Sequence, residues 1–300
     1  MTRILIQSMN MMGTSISYLI GPLVVPFNNS LIDDSLYLTP DEENAEKESI
    51  RKHIQNYMIV DAVMASVLLL AILIYFPSKP KTAPSPSAVL PRSEFRPAIK
   101  AMVRNPQLWL TCLAYAISNG FLAGWQGVMA LNFQPLGVSD EDIGFLGFLS
   151  ILVQCAVAVS VSFVQDRFRD KIKISIITLL TLASVMFLWL ALLCLEVIPY
   201  ALWQIYVATI AGSTLCYTII PLSFEYAIMQ AYPVSEGMVG SFLSGVFNFF
   251  VLIFLLLFFI PGIGYRWMNY LLVIGSVVSI PLIAITRTPR DFTVREEDHA

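Results

Sequence analysis

Apolar residues along this 300-residue chain recur in long, nearly uninterrupted runs rather than at the spacing of a one-sided helix or strand. Runs of about 20 such residues are what a helix needs to cross about 30 Å of hydrocarbon with its backbone groups satisfied internally. Eight are found, near residues 4–26, 57–76, 107–133, 141–164, 174–195, 201–229, 237–260 and 266–286. They predict an all-α membrane protein with about eight transmembrane helices. Composition agrees: mean hydropathy is +0.71 and only 13% of residues are charged, against the roughly 25% usual in soluble domains.

The polar stretches between the runs carry the topology. Segment 77–106 holds Lys79, Lys81, Arg92, Arg96, Lys100 and Arg104 against Glu94 alone, segment 165–173 adds four cations, and the tail 287–300 adds Arg287, Arg290 and Arg295. The short connections 134–139, 196–199 and 261–265 have no Lys or Arg. The bias of basic residues toward cytoplasmic loops therefore predicts that both ends of this chain are cytoplasmic. Loop 27–56 then falls on the lumenal side, where its acidic composition and the acceptor sequon at Asn28 ("NNS") are compatible with glycosylation. Cys112, Cys155, Cys194 and Cys216 all lie inside runs and read as small buried hydrophobes rather than disulfide partners.

"PSKPKTAPSPSAVLPRSEFRP" (77–97) reads as a linker, part of a cytoplasmic connection over 77–106. The expected organisation is two helices in 1–76, separated by the lumenal loop, then the linker, a six-helix block over 107–286 and the tail. Two helices followed by six is asymmetric for a carrier built of two equal halves, and four further helices are expected upstream.

Two acids stand out inside the runs. Glu225, in "IIPLSFEYAIM", follows Pro221 on a helix that ends near Tyr232. An ionisable group at such depth is costly unless it faces a cavity or partner. It is a candidate proton or substrate site, or alternatively a structural hydrogen bond or gate ion pair. Asp61 sits near the start of its run and is read as capping electrostatics in preference to a proton relay. Glu236, after "YPVS", is expected in the first turn of the next helix with Ser235 as its cap. Gly120, Gly124 and Gly127 have the small-residue spacing of closely packed helices. No phosphate-binding loop, metal-ligand cluster or nucleophile constellation occurs, and His53 and His299 lie in polar segments. Those readings disfavour an ATP-driven pump and an enzyme, and nothing suggests nucleic-acid binding or a cofactor.

"GTSISYLIGPLVVP" (13–26), "LAYAISNGFLAGWQGV" (113–128), "FEYAIMQAYPVSEG" (224–237) and "WMNY" (267–270) resemble the solute carrier family 49 transporters, most nearly their disrupted in renal carcinoma protein 2 branch. The resemblance implies a major facilitator fold alternating access to a central cavity, with this chain supplying helices 5–12 of a twelve-helix design. It further implies a lysosomal-membrane, proton-coupled exporter of vitamin B6 (pyridoxine). Rival readings are choline, ethanolamine or haem transport, as in the feline leukaemia virus subgroup C receptor branch, and an inactive truncated membrane scaffold.

By the same resemblance a glutamate stands at Glu225 in both branches, and Asn248 occupies the place of a cavity-facing glutamine. Trp125 and Gln126, on the first helix of the second half, would offer an aromatic face and an amide to a small ring or cation, unless they serve helix packing. "FVQDRFRDK" (163–171) is similar to the facilitator loop in which an acid at a helix end and following cations latch neighbouring cytoplasmic ends. Asp166, Arg167 and Arg169 fit that role, although the usual glycine is missing, and a plain basic loop is the alternative.

Overall fold

The computed structural model describes residues 40–75, 95–166, 171–199 and 201–287. Nine α-helices occur among them: α1 (Pro40–Ile74), α2 (Phe95–Arg104), α3 (Pro106–Gly127), α4 (Ala130–Phe133), α5 (Asp140–Asp166), α6 (Ile172–Cys194), α7 (Leu202–Ala231), α8 (Glu236–Leu256) and α9 (Trp267–Ile285). Single 3₁₀ turns follow α4 (Gln134–Leu136) and α8 (Leu257–Phe259). Among the described residues, five helical segments are long and apolar enough to cross a membrane by length and composition: Ile54–Ile74, α6, α7, Glu236–Phe259 and α9. At 1.5 Å per residue, α3 and α5 also reach about 33 and 40 Å. The expected span 4–26, with its Gly21-Pro22 break, lies outside the described residues.

The chain divides into two units, one of them the stretch 18–91. Its described element is α1, which differs from the expectation in starting at Pro40, well inside the stretch read as a lumenal loop. Within it Glu48 pairs with Lys52 one turn on at 3.3 Å. Asp61 consequently falls in mid-helix and is exposed there, so it caps nothing.

The described residues of the second unit are 95–166, 171–199 and 201–287. Its first helix, α2, occupies the end of the stretch read as linker. Pro97 is tolerated there because it stands in the first turn, where amide hydrogens have no intrahelical acceptor. Asn105 then separates α2 from α3, its side chain accepting from the amides of Gln107 (3.0 Å) and Leu108 (3.2 Å), with Pro106 at the first helical position. The expected single run 107–133 breaks after Gly127: Val128 and Met129 leave the helix, α4 adds one turn, and Gly137 ends the following 3₁₀ turn at φ 76°.

The two central helices are α3 and α7, which pack on each other. α3 also packs on α8 and α9, α7 on α5 and α6, and α6 on α9. Apart from a smaller α7–α8 contact, exchanging α3 with α7, α5 with α8 and α6 with α9 maps the packing pairs onto one another, the arrangement of two related three-helix repeats. Close approach of α3 and α8 depends on two glycines. A Cβ on Gly120 would stand 2.9 Å from that of Phe250, and one on Gly124 would stand 2.5 Å from Cδ1 of Phe254. Gly127, read with them from spacing, has no neighbour within 4 Å of such a Cβ.

Candidate functional site

The polar side chains of the six-helix unit gather at three depths. At the end carrying the start of α3 lies a knot of hydrogen bonds. Asn105 Nδ2 donates to the carbonyl of Gln230 near the end of α7 (2.9 Å), and Thr111 Oγ1 donates to Gln230 Oε1 (2.8 Å). The amide of Arg287, just past α9, donates to Gln107 Oε1 (2.7 Å). Lys173, in the first turn of α6, donates to the last carbonyls of α9, Ala284 (2.8 Å) and Thr286 (2.6 Å), while the Tyr226 and Thr286 hydroxyls meet at 2.8 Å. Four helix termini are thereby joined. In the sequence Lys173 and Arg287 count only toward the basic bias of their loops, and the other members of the knot carry no signal.

At the opposite end, Trp125 is 1% exposed and donates Nε1 to Asn269 Oδ1 (3.2 Å); Asn269 in turn donates to Asn132 Oδ1 (2.9 Å). The indole packs edge-on against Phe133 with ring centroids 5.6 Å apart. Trp125 thus ties the end of α3 to α4 and α9, and its neighbour Gln126 is half-buried. Ser139 and Asp142 form a reciprocal cap on α5, with Oγ to Oδ2 at 2.7 Å and the Asp142 amide to Oγ at 3.1 Å.

Between these ends, Tyr115 of α3 is buried beneath Phe224 of α7, edge-on at 5.6 Å, and Phe247 of α8, stacked at 5.8 Å. Glu225 and Asn248 each follow one of those rings in sequence, so two residues singled out from sequence, 23 positions apart, lie at one depth on neighbouring helices. Glu225 is half-buried. Asn248 is exposed, donates to the Ser244 carbonyl (2.8 Å), and keeps its Oδ1 without a partner among the described residues. Ser241, Ser244 and Asn248 share the exposed face of α8 at three- and four-residue steps. Deeper, Gln154 of α5 donates to Ser213 of α7 (3.0 Å).

Glu236 opens α8 as expected, but Ser235 makes no side-chain cap there; its carbonyl accepts from Met238 (3.0 Å) and Val239 (3.1 Å) instead. Cys112, Cys155 and Cys216 are buried and unbridged, and Cys194 is half-buried and unbridged. Asp166 ends α5, whereas its side chain, Arg167, Arg169 and Asn28 lie outside the described residues. Among the described residues no three His, Cys, Asp or Glu side chains are grouped to hold a metal ion.

The family model of the Major Facilitator Superfamily matches residues 2–221. The chain belongs to that superfamily. Solute carrier family 49 member 4 homolog of Xenopus tropicalis is 32% identical over 286 residues, covering 93% of this chain and 61% of the relative. Its counterpart in Xenopus laevis is 31% identical over 289 residues, with 94% and 61% covered. Choline/ethanolamine transporter FLVCR2 of Homo sapiens is 22% identical over 254 residues, 82% of this chain and 44% of that protein. The chain therefore spans under two thirds of the length of these relatives. As a superfamily member with several membrane-capable helices, it is a multi-pass, all-α membrane protein.

Proposed function

We propose that the chain provides the solute-binding and proton-coupling part of a secondary carrier for a small organic molecule. The observation that carries this is the shared depth of Glu225 and Asn248. An exposed amide on a span of mean hydropathy 2.6 is costly against lipid tails but well used along a wet path, where its open Oδ1 accepts from a solute hydroxyl or ring N–H. A half-buried carboxylate one helix away is suited to take up and release a proton. Gln126, beside Trp125 near the other end of α3, offers a second amide further along the path, and Trp125 serves by fixing that end of the helix. On this reading the basic end of the unit faces the cytoplasm, and Asp166, Arg167 and Arg169 gate it.

The solute we favour is pyridoxine-like, exported with protons across the lysosomal membrane, in keeping with the 32% identity to a solute carrier family 49 member 4 homolog. A choline-like solute is the second reading, because three similar proteins at 22% identity are named choline/ethanolamine transporters. Uptake of labelled pyridoxine and of choline is measured at acidic and neutral pH, in cells carrying the native transcript rerouted to the plasma membrane. Acid-stimulated pyridoxine flux is expected, and Glu225→Gln abolishes the stimulation while leaving the protein at the surface. Flux that stays equally acid-driven in Glu225→Gln overturns the proton role; choline flux without pH dependence selects the second reading.

A further inference from the structure

Helix α2 divides its surface into three strips. Ala98 and Met102 are buried against the bundle, in a cluster with Leu108, Cys112, Ala231 and Val239. One step around the helix, Phe95, Ile99 and Val103 recur every fourth residue and are all exposed, Phe95 at 68% and Val103 at 52%. A further step around, Arg96, Lys100 and Arg104 recur every fourth residue, also exposed. None of these three cations has an ion-pair partner among the described residues. The strips lie about 100° apart because each cation directly follows an apolar residue in sequence.

The depth of α2 is set by its neighbours. One residue separates it from α3, and Trp109 of that helix donates Nε1 to the Val103 carbonyl (2.9 Å) while its ring meets Phe242 edge-on at 5.0 Å. Tryptophan is enriched at the membrane–water boundary. Lys171, Lys173 and Arg287 lie at the same end of the bundle, as the hydrogen-bond knot requires. An apolar strip beside a cationic strip at that boundary has the form of a helix lying in the interface, with acyl chains on one side and headgroups on the other.

We infer that α2 is an anionic-phospholipid docking helix: Phe95, Ile99 and Val103 enter the acyl region while Arg96, Lys100 and Arg104 bind phosphate and carboxylate of the leaflet's headgroups. The occupant is argued from charge complementarity and from continuity with a membrane-spanning helix. An acidic protein segment would satisfy the cations but leave the apolar strip in water. The inference is independent of which solute the carrier moves.

The test uses the full chain purified in neutral detergent and mixed with equimolar phosphatidylserine and phosphatidylcholine, the co-purifying lipid being counted by native mass spectrometry. The unaltered chain is expected to retain phosphatidylserine preferentially. Arg96→Ala, Lys100→Ala and Arg104→Ala together reduce that preference, by about fivefold for each cation near the surface. Molar salt does the same to the unaltered chain, and excess inorganic phosphate does not displace the lipid. Lys171→Ala with Arg287→Ala leaves the preference in place, which separates α2 from general basicity. A triple variant that elutes like the unaltered chain and keeps its full preference overturns the proposal. Should that variant fail to elute as a single species, the unaltered chain decides: a preference that survives molar salt, or is abolished by phosphate alone, overturns it.

Discussion

Single side chains in a bilayer gain little from the hydrophobic effect between helices, so contact distance decides much of the packing. Gly124 is the tightest such position, since any Cβ there meets the Phe254 ring at 2.5 and 2.7 Å. That ring is itself fixed by Trp267, with centroids 5.0 Å apart, and by Phe258 at 6.0 Å, so it has no free direction of retreat. Gly124→Ala is expected to destabilise the protein by about 1–3 kcal/mol through overpacking. Gly127→Ala, three residues on with nothing nearby, is expected to be neutral or stabilising by up to about 1 kcal/mol through helix propensity. Thermal unfolding in detergent separates the two; equal effects would show that α3 and α8 do not approach as described. Spacing alone grouped three glycines that the fold separates, because period says which residues share a face but not which face meets a neighbour.

Among the elements, the long apolar runs were legible because hydrocarbon thickness fixes their length. Ends and short helices were less so. α2 reads as linker in the sequence because ten residues with a proline and three cations resemble exposed coil until Ala98 and Met102 find the bundle. The start of α1 was hidden in acid-rich sequence for the same reason: helix formation and solvation favour the same residues there. α6 presents a sharper case. A cation in its first turn is disfavoured by its own macrodipole, yet Lys173 is held there by the carbonyls of Ala284 and Thr286, where the dipole of α9 favours it. Lys173→Met is therefore expected to cost about 1–2 kcal/mol, since two carbonyls lose a charged donor. Lys173→Arg should recover most of it, as read by the thermal midpoint. A methionine variant as stable as the unaltered chain would mean that the α9 end is satisfied by water.

On the scale of the whole six-helix unit, the question is whether its two repeats act as one body. The bonds that bridge them were invisible in sequence: Thr111 and Gln230 are 119 positions apart, and Lys173 and Thr286 are 113 apart. Only the folded arrangement brings the starts of α3 and α6 to the ends of α7 and α9. Within that knot Asn105 holds α7 through Gln230, and Gln107, two residues on, holds the α9 end that Lys173 also holds. Removing either grip should loosen the terminus that the other needs. A double-mutant cycle of Asn105→Ala with Lys173→Met is expected to show a coupling of about 0.5 kcal/mol or more. Gly124 lies 19 residues beyond Asn105 on the same helix, about 28 Å away, and shares no partner with Lys173. The pair Gly124→Ala with Lys173→Met should then be additive within about 0.5 kcal/mol. Additivity in both cycles would mean that the knot is four separate caps, and that the repeats can rock against each other at this end. Coupling in both would instead assign the rigidity to the α3 helix as a whole, which carries Tyr115 and hence the depth at which Glu225 and Asn248 are held.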